Sequence, residues 1–139
     1  MSNDPISSHD ELRGLVQRYA RAADERDIDA LTAIFHPDAV IQGARGTQSR
    51  SEWVDGMRGP RTHPVSMHNL SDPLIELDAS GEAGTVDTYA VVYMLGDRSG
   101  GGEASPADMT LGMRYRDDVV RHEGRWVVRN RVAQNLWMR

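Results

Sequence analysis

Two residues far apart in the sequence have side chains suited to acid–base chemistry, His68 and Asp24. His68 lies in the strand-like stretch VSMHNLSDPLIEL and shares its strand parity with Ser66 and Leu70. Asp24 lies near the end of the first amphipathic helix, where a negative charge is unfavourable beside the helix dipole. A carboxylate beside an imidazole fixes its tautomer and raises its basicity, so the pair indicates a general base. The alternatives are a histidine bonded to backbone and a solvated aspartate.

A face of small residues on the same helix favours a ligand beside Asp24. At 100° per residue, one arc of the helix presents in order Tyr19, Ala23, Ala20 and Asp24. The two alanines leave room for a small molecule. The polar side chains of Tyr19 and Asp24, on either side of the alanines, can contact that molecule. We predict that Ala20, Ala23 and Trp53 contact the substrate. The alternative for Tyr19 is a core residue whose hydroxyl reaches the rim.

Arginines in the last strand can supply positive charge to the same site. Arg129 and Arg131 share one face of that strand, and an arginine that faces the pocket can hold an anion or a developing oxyanion. An outward-facing arginine in a surface ion pair is the equally weighted alternative. The Asp117–Asp118 pair and Glu123 lie near turns, and we predict that they are exposed.

The composition removes several kinds of chemistry. The chain has no cysteine and no lysine, because all 16 of its basic residues are arginine. A cysteine nucleophile, a lysine Schiff base and a thiolate metal site are therefore excluded. No HExxH, His-x-His or paired-carboxylate spacing occurs, and the glycines at 100–102 lack a lysine and do not open a helix. We expect neither a metal nor a cofactor.

The charge balance limits the partners. A net charge of −5 and a pI of about 5.5 predict no attraction to nucleic acid or to an anionic membrane. No apolar run approaches the roughly 18 residues of a membrane span, and the N-terminal sequence has no leader-like segment. We expect a soluble, unprocessed, cytoplasmic protein.

The hydrophobic period predicts helices first and strands afterwards. Ser8 and Glu11 form a capping-box pattern that predicts a helix over 8–25, and Ser49 with Glu52 predicts another. Asp27 can cap a short helix between them, which ends at His36-Pro37. The predicted remainder is a short strand at 39–42, a loop at 43–48, a strand at 65–77 broken near Asp72-Pro73, strands at 83–95, 109–121 and 125–137, and a glycine-rich loop at 96–107. The pattern is α+β in a single domain, residues 1–139, with helices packed on one curved, mostly antiparallel sheet that encloses a pocket.

Three segments carry a family resemblance: LRGLVQRYARAADERDIDALTAIFHPDAVI, the MHN of 67–69, and HEGRWVVRNRV. Together they resemble the SnoaL-like group of the nuclear-transport-factor-2-like superfamily over nearly the whole chain. The resemblance implies a cone-shaped α+β barrel. Members include scytalone dehydratase, bile-acid 7α-dehydratase, hexachlorocyclohexane dehydrochlorinase, polyketide cyclases and the small subunits of ring-hydroxylating dioxygenases.

The resemblance implies an Asp–His dyad for base-catalysed elimination, with Tyr19, Asp24 and His68 at the matching positions. Arg131, five residues after Trp126, best matches the final-strand arginine of the bile-acid enzyme. The additional pocket histidine and second tyrosine of scytalone dehydratase are not identifiable, which argues against scytalone as the substrate. The expected function is a lyase that acts on a small hydrophobic alicyclic or polycyclic compound. A non-catalytic binding protein or assembly subunit, and a cyclase or isomerase, are the alternatives.

An assembly is also expected. The strand over Tyr89–Leu95 is apolar on both parities, so a monomer would leave one apolar face in water. We predict a homo-oligomer, and the resemblance to trimeric dehydratases favours a trimer over a dimer. The loop at 96–107 is expected to be mobile and to lie near the oligomer rim or the mouth of the pocket.

Overall fold

The computed structural model describes residues 4–139, which fold into three helices and seven strands. The elements in chain order are α1 (Pro5–Glu25), α2 (Ile28–Ile34), β1 (Phe35–Gly43), β2 (Gly46–Ser49), α3 (Arg50–Gly56), β3 (Val65–Leu70), β4 (Leu74–Leu77), β5 (Ala83–Leu95), β6 (Met109–His122) and β7 (Arg125–Met138). None of the helices in this part of the chain is long and apolar enough to cross a membrane. The α+β order predicted from the sequence is confirmed.

The first helix begins three residues earlier than predicted. Asp4 is its N-cap and accepts a hydrogen bond from the backbone N–H of Ser7, and Pro5 occupies the first helical position, where its missing N–H costs nothing. The predicted cap, Ser8, is instead buried within the helix, and its hydroxyl accepts a hydrogen bond from Arg121. The predicted cap at Asp27 and the predicted capping box of Ser49 with Glu52 are confirmed.

The seven strands form one open sheet rather than a closed barrel. The hydrogen-bonded order is β2-β1-β7-β6-β5-β3, and β4 pairs with β5 beyond the end of β3. Every pairing is antiparallel except that of β1 with β7. Because the two outermost strands do not pair with each other, helices complete the enclosure of the concave face.

The region around β1 differs from the prediction. The strand begins at Phe35 rather than at Ala39, and its register against β7 shifts between Phe35 and Val40, where Pro37 has no N–H to donate. The residues after Gly43 were predicted to be a loop, but 46–49 form β2. Gly43 pairs with Gly46 across a two-residue turn, and Gly46 has a φ of 84°, which suits glycine.

The break predicted in the segment 65–77 is confirmed and has a clear role. Both β3 and β4 pair with β5, and Asp72-Pro73 lies between them, where proline interrupts the ladder. The free edge of β3 is thereby left facing the C-terminal turn of α1. This placement brings residues 24 and 68 together across 44 positions of sequence.

The core lies between α1 and the concave face of the sheet. Leu12, Leu15 and Val16 of α1 are almost completely buried, as are Val119 and Val128 on the sheet. These positions recur three and four apart on the helix, so one stripe of α1 faces the sheet throughout its length. Since α1 is anchored along this stripe, its C-terminal turn is held in a defined position over the sheet.

The other face of the sheet carries exposed apolar side chains. Tyr89 is 52% exposed and alternates with the buried Thr88 and Ala90, so it lies on the outer face. The other large apolar residues that are exposed on strands are Val40, Val65, Met67, Leu74, Val132, Leu136, Trp137 and Met138. An apolar surface of this extent is typical of an interface.

We expect this outer face to pack against copies of the same chain. Light scattering at micromolar concentration should return a multiple of the 15.5 kDa chain mass. Tyr89→Glu should lower that mass to the monomer value, because it places a negative charge on the outer face. The control is Ile6→Glu, which changes a more exposed apolar residue on α1 and should leave the mass unchanged. A wild-type mass of 15.5 kDa would contradict the assembly.

Candidate functional site

Asp24 is held by the free edge of β3. Its Oδ2 accepts the backbone N–H of His68 at 2.9 Å, and its Oδ1 accepts the Ser66 hydroxyl at 2.9 Å. The same Oδ1 lies 2.6 Å from Nδ1 of His68. Three donors from one strand therefore converge on a single carboxylate at the end of α1. These contacts offset the unfavourable position of Asp24 near the negative end of the helix dipole.

The hydrogen bond to Asp24 fixes the tautomer of His68. An ionised carboxylate can only accept, so Nδ1 carries the proton and Nε2 is left with a free lone pair. The side chain of His68 is 10% exposed. Burial lowers the pKa of His68 below its usual value, although the hydrogen bond and charge of Asp24 oppose this shift. The imidazole is therefore neutral at pH 7, which is the protonation state of a base.

Tyrosine rings surround the imidazole. Tyr19 on α1 and Tyr115 on β6 lie with ring centroids 5.9 Å and 6.5 Å from that of His68, and 5.6 Å from each other. Burial raises the pKa of both tyrosines above the usual value. Both phenols therefore keep their protons, and a hydrogen bond links the two hydroxyls.

Arg131 lies behind these rings and does not line the cavity. Its guanidinium stacks on Tyr19 with Cζ 3.9 Å from the ring centroid, and on Tyr115 at 4.5 Å. Its Nε and Nη2 donate to the two carboxylate oxygens of Asp117 at 2.8 Å and 2.9 Å. Both side chains are almost completely buried. Arg131 is therefore not an outward-facing arginine in a surface ion pair, because it faces inward. It also does not face the cavity to hold an anion there, because its partner is a protein carboxylate.

The prediction that Asp117 is exposed was wrong. Asp118 and Glu123 are exposed as predicted, but Asp117 alternates with Asp118 on β6 and so points to the concave side of the sheet. Burial, the largest single effect, would lower the pKa of Arg131, but the charge and hydrogen bonds of Asp117, together with Tyr19 and Tyr115, raise that pKa overall. Arg131 therefore remains a cation. Arg129, the other candidate, donates to the backbone carbonyl of Asp38.

A cavity of about 180 Å³ opens beside His68. Among the sequence-predicted site residues, Tyr19, Ala23, Trp53 and His68 line it. Asp24 lies behind His68, and Ala20 is buried in the packing of α1 rather than in the cavity wall. The wall also contains residues that the sequence analysis did not select: Arg26, Met57, Ser66, Val92, Met94, Leu111, Met113 and Tyr115.

Some of the missed residues carried a usable signal. Leu111, Met113 and Tyr115 alternate on one face of the predicted strand, and Ser66 has the same parity as His68. Once His68 is placed inside the pocket, strand pairing brings these positions to its wall. Arg26 follows the last turn of α1, and no periodicity marks it. A larger groove of about 510 Å³ lies between α1, α2 and the β6–β7 turn, but no histidine lines it.

The chain belongs to the SnoaL-like domain family, whose model matches residues 4–132. The Mycobacterium tuberculosis protein Rv2910c, which has no assigned function, is 28% identical over 140 residues; the match covers 96% of this chain and 89% of that protein. The family predicted from three short segments of sequence is therefore confirmed. Its fold class is confirmed as well, with the correction that the sheet is open.

Two solved structures are similar in fold. A candidate scytalone dehydratase from Novosphingobium aromaticivorans has a TM-score of 0.81 at 17% identity, and the match covers 100% of this chain and 91% of that one. The hexachlorocyclohexane dehydrochlorinase LinA-type3 from Novosphingobium barchaimii has a TM-score of 0.76 at 16% identity, with coverage of 96% and 90%. At these identities the likeness concerns the fold, and the chemistry must be argued from the site.

The buried ion pair behind the tyrosines predicts a large loss of stability when one partner is removed. Asp117→Ala leaves the Arg131 guanidinium buried without a counter-charge and should lower the free energy of unfolding by about 3–5 kcal/mol. Asp118→Ala is the matched control, because it removes an adjacent but exposed carboxylate and should change stability by less than about 0.5 kcal/mol. Urea unfolding of both variants measures the difference. Equal losses would contradict the pairing.

The environment of His68 predicts a specific protonation behaviour. In an NMR titration its midpoint should lie below the ordinary value of about 6.5, and Asp24→Asn should lower it further, because Asp24 is the group that raises it. At pH 7 the ¹⁵N spectrum should show Nδ1 protonated and Nε2 free. A midpoint above 6.5, or a proton on Nε2, would contradict the geometry.

The same shift sets the sign of a stability change with pH. Since the folded-state pKa is lowered, the unfolded chain binds more protons once the pH falls below about 6.5. The contribution of His68 is therefore fully present above that pH and declines as the pH falls toward the folded-state value. The difference in unfolding free energy between wild type and His68→Gln isolates this contribution.

Proposed function

We propose that this protein is a cofactor-independent lyase that eliminates a small leaving group from a compact ring compound, with His68 as the base. The observation that carries the proposal is the 2.6 Å contact of Nδ1 with Asp24, which leaves Nε2 unprotonated in a ligand-sized cavity. Such an arrangement has the parts of a general base: a neutral imidazole, an orienting carboxylate and space for a substrate.

The reaction needs no co-reactant. Nε2 of His68 removes a proton from the carbon next to a carbonyl, and the electrons of that C–H bond form a C=C bond as the neighbouring C–O bond breaks. The leaving hydroxide takes up the proton from the imidazolium, so one water is lost and His68 returns to its neutral form. Asp24 stabilises the imidazolium while it exists, through the contact it already makes.

Tyrosine hydroxyls supply the second function of the site. Tyr19 and Tyr115 line the cavity as neutral phenols and can donate to the carbonyl oxygen as negative charge develops on it. Arg131 acts through them: its cation lies under both rings and makes each phenol a stronger donor than burial alone would allow. In this proposal Arg131 is a positioning residue, not one that touches substrate.

The size and lining of the cavity narrow the substrate. A volume of about 180 Å³ is close to that of an engineered cavity of about 150 Å³ that holds benzene. The wall is mainly apolar and includes Trp53, Met94 and Leu111. A monocyclic compound therefore fits better than the polycyclic one that the sequence analysis also allowed.

The non-catalytic alternative finds less support. A separation of His68 and Asp24 beyond hydrogen-bond reach, or a cavity filled by side chains, would favour it, and neither is found. Isomerisation with the same base differs only in keeping the leaving group. The mass of the product separates the two reactions, because isomerisation conserves mass and elimination does not.

The proposal is tested by following water loss from monocyclic β-hydroxyketones, of which 3-hydroxycyclohexanone is the simplest. His68→Ala and Asp24→Asn should each lower the rate about 10²–10⁴-fold, the typical contribution of a positioned base, while circular dichroism remains unchanged. His36→Gln is the matched control, since His36 lies outside the cavity wall with its ring against His122. Turnover by both dyad variants at the wild-type rate would rule the mechanism out.

A further inference from the structure

Three arginines from three different elements meet beside the cavity. Arg26 follows the last residue of α1 and lines the cavity wall directly. Arg61, in the segment before β3, donates from Nη2 to the backbone carbonyl of Asp24 at 3.3 Å. Arg45, in the turn between β1 and β2, packs against Gly56, where a Cβ atom would fall 1.8 Å from its Nη1. Positive charge is thus concentrated next to the His68 base.

These arginines have no acidic partner in the part of the chain that the structure describes. Eight pairs of an arginine with a carboxylate occur between residues 4 and 139, and none involves Arg26, Arg45 or Arg61. The Nε groups of Arg26 and Arg61 are buried without a hydrogen-bond partner. Burial, followed by the charges of Arg61 and Arg45, lowers the pKa of Arg26. The net charge of the chain is −5, so this positive charge is a local excess, and it favours the binding of an anion.

The backbone at Arg26 adds an independent observation. Its φ of 54° and ψ of 43° are left-handed, a conformation that glycine adopts most readily at the end of a helix. A residue with a Cβ atom is strained there by about 1 kcal/mol. The side chain does tie α1 to α3, through a hydrogen bond from Nη1 to the carbonyl of Met57 at 3.2 Å, but its Nε remains unused.

We infer that the cavity binds a compound with a carboxylate group, and that Arg26 is the residue that recognises it, with Arg45 and Arg61 adding positive charge. This inference rests on the proposed function only in placing the ligand in the same cavity. The carboxylate would lie at the Arg26 side of the cavity, and the ring would lie against the apolar wall formed by Trp53, Met94 and Leu111.

The test compares benzoate with benzamide, which has the same ring and nearly the same shape but no charge. Calorimetric titration of the intact protein should show that benzoate binds at least tenfold more tightly than benzamide. Arg26→Gln should remove about tenfold of benzoate affinity and leave benzamide binding unchanged, because a charge-assisted hydrogen bond is lost. The matched control is Arg21→Gln, which removes the same charge from an exposed position of α1 and should preserve the preference.

Two further variants separate the loss of benzoate binding from loss of the fold and from failure of the lyase proposal. Arg26→Gly suits the left-handed backbone, retains the fold and should show the same loss of benzoate affinity. His68→Ala should abolish elimination and still prefer benzoate, so failure of the lyase proposal does not imply failure of this one. Undetectable benzoate binding to wild type, or a benzoate-to-benzamide preference that Arg26→Gln and Arg26→Gly leave intact, would overturn the inference.

Discussion

The carboxylate of Asp24 is the contact on which the site depends. It accepts a backbone N–H, a hydroxyl and an imidazole N–H from one edge strand, and so joins the end of α1 to β3. A single side chain thereby bonds a backbone N–H of the free sheet edge and fixes the tautomer of His68. Because all three bonds end on one carboxylate, the structural and chemical tasks of Asp24 are coupled.

Charge in the site is arranged in layers. His68, Tyr19 and Tyr115, which line the cavity, are neutral because burial disfavours their charged forms. Apart from Arg26, which also lines the cavity, the permanent charges lie one layer further out, with the Arg131–Asp117 pair beneath the rings and Asp24 behind the imidazole. A neutral inner layer with fixed charges behind it can respond to charge that develops during a reaction, and it costs less to bury than the charges themselves would.

The sequence predicts much of the fold, because its signals are local. The bounds of β5, the caps of α2 and α3 and the break at Asp72-Pro73 all depend on neighbouring residues, and each was predicted. The errors concern features decided by distant partners. Ser8 was predicted to be the cap of α1, but Asp4 caps the helix and Pro5 follows it. Ser8 is instead a buried hydrogen-bond acceptor for Arg121, a residue 113 positions away. Asp117 was predicted to be exposed, but it is buried because it pairs with Arg131 on the adjacent strand. Arg26 had no sequence signal, since its place in the cavity wall depends on how α1, α3, β3, β5 and β6 pack together.

The parallel pairing of β1 with β7 affects the order in which the parts of the chain fold. β1 has two sheet partners, and one of them, β7, lies at residues 125–138, so the chain must close a loop of roughly ninety residues before β1 is paired on both sides. Contacts of such long sequence separation form slowly, because the entropy of loop closure opposes them. During synthesis the helices and β1 leave the ribosome well before their strand partner exists. Arg131 lies on β7, so its positive charge is placed behind Tyr19 only when this C-terminal strand pairs. The electrostatic environment of the pocket is therefore complete only at that step.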